Sequence, residues 1–351
     1  MLALALITSL LQTEITPAEY GEQIASLPVH TTRRLAEAHK PTANGAIGRN
    51  RAAYFHVRFQ LGMHHLADYG LAARRPDVID RFLTAVEFSL QHQNADGDYR
   101  LVIPDALKNA GRPSVADRAS GVAFFASSLG LGLYALETNG WFQDADECAT
   151  ARRRVQKIKP RLRATLDYLL THQQSLKTAD ARAPNRLLFD ALAFESLGRL
   201  LSRKESQQVA ASFVGLAMSQ VDGQEGYFIE GGGFDSSYNA VATALALRLL
   251  MMDVQQPDRQ PALNTSLRTV CENAVRWQQQ RVLKSGEVST AGNSRVRPGE
   301  AGESFLGKKK GVDVGHVVEA FLLASHTMQD ESLNALALHV LSFYEHRGQQ
   351  K

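Results

Sequence analysis

Apolar residues recur at the spacing of amphipathic helices along most of the 351-residue chain. About ten segments have this period: 51–70, 75–93, 116–138, 155–174, 185–201, 204–219, 236–253, 262–283, 313–327 and 330–346. No segment of comparable length alternates with the period of two that a half-buried strand requires. The pattern therefore predicts an all-α protein without a large sheet.

The links between these segments differ in length. The two helices of a pair are mostly joined by short turns, such as 70–77 and 202–205. The links between pairs are generally long and polar, and they span 94–115, 174–184, 220–235 and 284–312. Short links make neighbouring helices antiparallel, so every long link is expected at the same end of the molecule. Because long loops in a compact domain are usually functional or disordered, we expect the functional site at that end.

Two of the turns carry a family resemblance. QNADGDY at 93–99 and QVDGQEGYF at 220–228 resemble the Q-x-(D/N)-G-x-aromatic turns of α/α-toroid proteins, a superfamily that includes terpenoid cyclases and polysaccharide lyases. The resemblance implies an (α/α) toroid, a ring of about five helical hairpins. Its inner helices would begin near 51, 116, 185, 236 and 313. One fold hosts many chemistries, so the resemblance implies the fold more than the activity, and an open helical array is the alternative.

The chain divides into three predicted parts. Residues 1–13, MLALALITSLLQT, have the apolar length of a signal-peptide core but lack a basic start and a clear cleavage site. They are interpreted as a signal peptide or as a first helix, which leaves both export and a cytoplasmic location open. Residues 14–50 form an N-terminal extension, and 51–351 form one toroid domain. No segment reaches about 18 uncharged apolar residues, so no integral membrane association is expected.

Charge and cysteine content exclude several partners. The 39 basic and 36 acidic residues are not gathered into one basic block, which argues against a nucleic-acid partner. Cys148 and Cys271 are too few for a cysteine-rich zinc site, although one disulfide between them stays open. The neighbours His64 and His65 have no partner at metal-ligand spacing. We therefore expect no metal and no cofactor, and the oligomeric state is left open.

The segment EGGGFDSSYN, residues 230–239, is the first candidate site. Three glycines follow Glu230 and allow backbone conformations that are closed to other residues. Asp235 or the serine after it can cap the next helix, which places Tyr238 and Asn239 in its first turn. The segment also resembles the (E)GG-x-D-x-x-Y stretches of toroid proteins related to polysaccharide lyases.

The segment 289–321 is the second candidate site. It contains Asn293 and Arg295 within a strongly charged run, and such a run is usually a solvated loop. His316, however, falls about one turn into the next inner helix, as Tyr238 does in its own helix. Two residues with proton-transfer chemistry at neighbouring helix starts form a more specific pattern than either alone.

The starts of the other inner helices, with the loops that lead into them, contain His56, Arg118 and Arg186. Arginine or lysine lies near the start of every inner helix except the one that follows the three glycines. The positive N-terminal ends of the inner helices would all point toward the open end of the ring, where the long loops lie. This bias indicates an anionic ligand, and an acidic poly- or oligosaccharide fits it.

The predicted function is β-elimination in a uronate-containing polysaccharide. Positive groups would neutralise the uronate carboxylate and lower the pKa of the proton at C5, which a tyrosine or histidine then removes. By resemblance to lyase toroids, Tyr238 is the acid or acid/base, and His316 or His56 is the base. The predicted substrate-binding residues are Glu230, Asp235, Asn239, Asn293, Arg295, Arg186 and Arg118.

Two alternatives stay open. A glycoside hydrolase would use Glu230 and Asp235, with Asp98 opposite, as the two carboxylates that flank the bond. A non-catalytic glycan-binding or scaffold protein would lack groups with a strongly perturbed pKa. Ultraviolet absorbance separates the two enzymes, because elimination leaves an unsaturated sugar and hydrolysis does not.

Overall fold

A computed structural model describes residues 19–51, 53–104, 113–253, 261–295, 303–305 and 308–349. Within these ranges the helices are α1 (Tyr20–Ala25), α2 (Val29–Ala38), α3 (His64–Ala72), α4 (Pro76–Leu90), α5 (Val115–Glu137), α6 (Gly140–Asp144), α7 (Ala149–Asp180), α8 (Pro184–Leu200), α9 (Lys204–Met218), α10 (Ser236–Asp253), α11 (Pro261–Gln280), α12 (Val314–Met328) and α13 (Glu331–Gln349). Two strands, β1 (Glu303–Phe305) and β2 (Lys308–Lys310), form a short antiparallel hairpin. The predicted all-α class is confirmed.

The helices form a closed ring of hairpins. The inner helices α3, α5, α8, α10 and α12 contact one another in this order, and α2 lies between α12 and α3. The outer helices α4, α7, α9, α11 and α13 pack on their inner partners. Across the closure, His64 Nε2 on α3 lies 3.3 Å from Glu319 Oε1 on α12. The predicted toroid of about five hairpins is therefore confirmed, and the open array is excluded.

The inner helix α5 illustrates why these sequences pack in the middle of the ring. Its residues from Ala119 to Leu136 are all buried, which requires a helix that is apolar on every face. Gly130 allows close packing on α8, since a Cβ there would lie 1.9 Å from Ser196 Oγ. This helix is long and apolar enough to cross a membrane, but its apolar stretch is entirely buried inside the protein.

The N-terminal helix α1 closes one end of the ring. The backbone N–H of Gly21 donates to Thr138 Oγ1 at 2.9 Å, just after α5 ends. Gln23 Nε2 donates to Met251 O near the end of α10, at 3.1 Å. Both contacts lie at the C-terminal ends of inner helices, so α1 covers that end. Helices α1 and α2 of the predicted 14–50 extension thus pack into the ring, whereas the predicted segment 1–13 lies outside the described residues.

Three predicted boundaries were wrong. The predicted helix 51–70 begins only at His64, because 53–63 form a loop with a 3-10 turn at Val57–Phe59. The buried Gln60 side chain bonds three backbone groups of neighbouring segments, which favours this loop over a helix. The predicted link 174–184 shrinks to 181–183, because α7 continues to Asp180. The same helix begins at Ala149, six residues before the predicted start at 155.

Candidate functional site

The open end of the ring, called the mouth here, is where the inner helices begin. Tyr238 is the third residue of α10 and His316 is the third residue of α12. The two helix starts are tied together, because the Asp313 N–H donates to Ser237 Oγ at 2.9 Å. The structure thus brings the two predicted proton-transfer residues to adjacent positions in the ring.

Arg295 covers the ring of Tyr238. Its guanidinium carbon lies 3.9 Å from the ring centroid, within cation–π range. The same guanidinium forms an ion pair with Glu230, whose backbone oxygen accepts from Ser294 Oγ. Burial raises the pKa of Glu230, although Arg295 opposes the shift. Glu230 therefore positions the arginine over Tyr238.

His316 carries a positive charge at neutral pH. Its Nδ1 lies 3.0 Å from Asp313 Oδ2. Burial lowers the pKa of His316, but the Asp313 carboxylate outweighs burial and raises the pKa to about 9. A protonated imidazole has no lone pair to accept a proton, so the structure favours a charge-neutralising role over the predicted base role.

His56 is also unsuited to the predicted base role. It lies in the loop before the 3-10 turn, and its Nδ1 accepts from the backbone N–H of Arg58 at 3.1 Å. Burial lowers its pKa, and Arg58 lowers it further. The neutral ring therefore carries its proton on Nε2, and its lone pair is already engaged by the backbone.

Arg58 is the mouth residue that the sequence analysis missed. Its guanidinium lies 4.0 Å from the centroid of the Phe124 ring, and Phe124 stacks on Phe189 at 4.2 Å. Phe189 in turn meets the ring of His316 edge-on at 6.3 Å. Burial lowers the pKa of Arg58, and Arg186 adds to this effect. Among the described residues, no carboxylate forms an ion pair with Arg58.

Arg186 stands beside a pair of buried carboxyl groups. Its Nη1 lies 3.1 Å from Oδ1 of the fully buried Asp180. Asp190, one helical turn after Arg186, is also fully buried, and neither of its oxygens has a hydrogen-bond partner in the described part of the chain. Burial and then the charge of Asp180 raise the pKa of Asp190 well above its ordinary value. Burial and the neighbouring charge of Asp180 therefore favour the neutral form of Asp190.

Two predicted binding residues are used by the fold instead. Asn239 Oδ1 accepts from the Phe228 N–H at 3.0 Å, and its Nδ2 donates to Gln278 Oε1 at 2.9 Å, which joins α10 to α11. Asn293 Oδ1 accepts from the Ser236 N–H at 3.1 Å and braces the start of α10. Both side chains are buried, and their amides are engaged by these contacts.

The remaining predicted residues also have structural partners. Asp235 Oδ1 accepts from the backbone N–H of Tyr238 at 3.0 Å, which makes it the cap of α10. Arg118 pairs with the buried Asp98 at 2.9 Å, at the entry of α5. Asp235 therefore stabilises the start of α10, and Asp98 holds Arg118 at the start of α5.

A buried charged cluster lies below the mouth, between α3, α10 and α12. His64, His65 and Asp68 bring possible metal ligand atoms within 4.8 Å of one another. However, Arg248 Nη2 lies 2.6 Å from Asp68 Oδ2 and 2.7 Å from Glu319 Oε1. The guanidinium therefore contacts both carboxylates and occupies the space between them, although its single positive charge balances only one of the two negative charges.

Comparison with protein-family models finds no match, and comparison with curated proteins finds none either. Among solved structures, one described as "Crystal structure of D-mannose isomerase" is similar at 13% identity and a TM-score of 0.49. The likeness covers 92% of this chain and 86% of that chain. We draw no functional conclusion from a likeness at this level, and membership of a particular toroid family stays a prediction.

Proposed function

We propose that the mouth binds an acidic sugar and that the protein cleaves a uronate-containing polysaccharide by β-elimination. The observation that carries the proposal is Arg58, a half-buried arginine in the mouth without a carboxylate partner among the described residues. An unpaired guanidinium is suited to bind a carboxylate through two parallel hydrogen bonds. The protonated His316 adds a second positive charge at the same mouth.

The remaining groups supply the chemistry. Arg58 and His316 neutralise the uronate carboxylate, which stabilises the negative charge that develops when C5 loses its proton. Tyr238 is the acid/base and takes this proton on its oxygen, and the electron pair forms the C4–C5 double bond as the C4–O bond breaks. Tyr238 then returns the proton to the leaving oxygen, so no co-reactant is consumed. Arg295 holds the tyrosine ring in place.

The test is a panel of acidic polysaccharides, followed at the absorbance of unsaturated uronates. We compare the wild type with Tyr238→Phe, which removes only the hydroxyl group. Tyr54→Phe, in the loop at 53–63, is the matched control. Loss of a general acid/base is expected to lower the rate about 10²–10⁴-fold in Tyr238→Phe and to leave Tyr54→Phe unchanged.

Other outcomes separate the alternatives. New reducing ends without absorbance would indicate hydrolysis and would contradict the elimination. Unchanged turnover in Tyr238→Phe would remove the tyrosine from the mechanism. Saturable binding without either product would favour the non-catalytic glycan-binding protein.

A further inference from the structure

A groove of about 250 Å³ lies on the outside of the ring, between α2, α3 and α4. Its floor is apolar and is formed by the buried Leu66 and Val78 together with the half-buried Tyr69. Neither the mouth nor the proposed reaction uses this groove. Concave sites that combine an apolar floor with a few polar groups are where ligands usually bind.

The walls of the groove are strongly basic. The charged residues that line it are Arg33, Glu37, Lys40, Arg75 and Arg81. Glu37 pairs with Arg33 at 2.8 Å, and Asp77 outside the lining pairs with Arg75 at 2.7 Å and lies 4.0 Å from Arg81. Four positive charges against one negative charge leave a net charge of +3 on the lining itself, or +2 when Asp77 is included. All five side chains belong to exposed residues and can reorient toward a ligand.

The groove begins next to the mouth. Lys40 follows His39, and the His39 ring lies 4.7 Å from the ring of His65. A Cβ on Gly315, at the start of α12, would lie 3.7 Å from His39 Cε1. From Lys40 to Arg33 the groove follows α2 for about 10 Å. A chain that leaves the mouth on this side of the ring meets Lys40 first.

We propose that this groove is a second binding site for an acidic polysaccharide, which holds a stretch of chain beyond the residue bound in the mouth. The inference rests on the proposed function for its substrate class. Uronate carboxylates would pair with Arg33, Lys40 and Arg81, while Tyr69 offers an apolar face to a sugar ring. The site therefore favours long chains over short oligosaccharides.

The test compares two triple variants that remove the same charge. The groove variant combines Arg33→Gln, Lys40→Gln and Arg81→Gln. The control variant combines Arg153→Gln, Lys157→Gln and Arg163→Gln, which are exposed on the outer helix α7. Affinity for sodium polygalacturonate is measured at several salt concentrations, with the methyl-esterified polymer as the uncharged probe. A trisaccharide of the same uronate reports on the mouth alone.

We expect the groove variant to bind the charged polymer about tenfold more weakly and with a smaller salt dependence, because three exposed charge contacts are lost. The control variant and binding of the trisaccharide should change less than about twofold. Equal weakening in both triple variants would attribute the effect to net charge and would overturn the proposal, as would unchanged affinity in the groove variant. If the elimination assay detects no activity, the binding comparison between the two triple variants can still be interpreted. The proposed reaction and the proposed second binding site can therefore fail separately.

Discussion

Replacing Arg248 by methionine is expected to destabilise the ring strongly. Arg248 is 1% exposed, and its guanidinium contacts Asp68 at 2.6 Å, Glu319 at 2.7 Å and the Tyr20 hydroxyl at 3.0 Å. These partners come from α1, α3 and α12, so one side chain on α10 links four helices. Removing it leaves two buried carboxylates without their cation. Breaking a buried ion pair in this way costs about 3–5 kcal/mol of unfolding free energy.

The pH dependence of this loss follows from the same contacts. Burial alone would raise the pKa values of Asp68 and Glu319, but Arg248 outweighs burial and lowers both. A lowered carboxyl pKa stabilises the fold above the unfolded value of about 4, and this contribution is lost as the pH falls through the folded value. In the variant, burial without the arginine raises both pKa values, and a raised carboxyl pKa costs stability only above the unfolded value of about 4. The deficit of the variant should therefore be largest near pH 7 and should shrink toward pH 4.

Urea unfolding, followed by circular dichroism at both pH values, measures this deficit. Arg154→Met is the matched control, because Arg154 also pairs with two carboxylates, Asp80 and Glu87, but on the solvent-exposed surface. We expect Arg154→Met to cost about 1 kcal/mol or less. An Arg248→Met variant that is no less stable than this control would refute the argument that buried charge pairing holds the ring closed.

Three further predictions concern stability. Asp190→Asn should raise the midpoint of thermal unfolding more at pH 8 than at pH 5. The reason is that the raised pKa of the buried acid makes the wild type lose stability as the pH rises above about 4. An equal change at both pH values would contradict this. His316 stabilises the fold fully below its unfolded pKa of about 6.5, and this contribution is lost as the pH rises through about 9. In Asp313→Asn, stability should therefore change less between these two pH values, and NMR titration of the His316 ring should give a lower pKa. Gly97→Ala should cost about 2 kcal/mol, since φ is +90° and a Cβ would lie 2.0 Å from a backbone oxygen of α7. The comparison variant Gly223→Ala has open space around it and should be nearly neutral in the same urea titration.

The sequence predicted the later inner helices well because local and global signals agree there. The start of α5 is marked by a capping box in which Ser114 accepts from the Asp117 N–H at 3.0 Å. Pro184 opens α8, and Asp235 caps α10. These caps also explain why the positions of Tyr238 and His316 at the mouth could be predicted, since each follows an aspartate cap at the start of an apolar helix.

The mouth itself was predicted only in part. Arg58 was missed because an apolar pattern across 51–70 suggested a helix, whereas the Gln60 side chain builds a buried loop through tertiary hydrogen bonds. Asn239 and Asn293 were predicted to bind substrate because they stand beside a glycine-rich loop. Sequence does not reveal that their amides are engaged by buried partners on other segments. Long-range partners of this kind decide whether a polar residue serves the fold or the site.

The central claim is that the mouth recognises a uronate carboxylate through Arg58. Isothermal titration of a uronate trisaccharide into the wild type and Arg58→Gln tests it most directly. Arg49→Gln is the control, an exposed arginine over Phe59 outside the predicted contact set. We expect Arg58→Gln to weaken binding at least about thirtyfold, or about 2 kcal/mol, with Arg49→Gln unchanged. Equal affinity of Arg58→Gln and the wild type, or equal affinity of the wild type for the methyl-esterified trisaccharide, would contradict the claim.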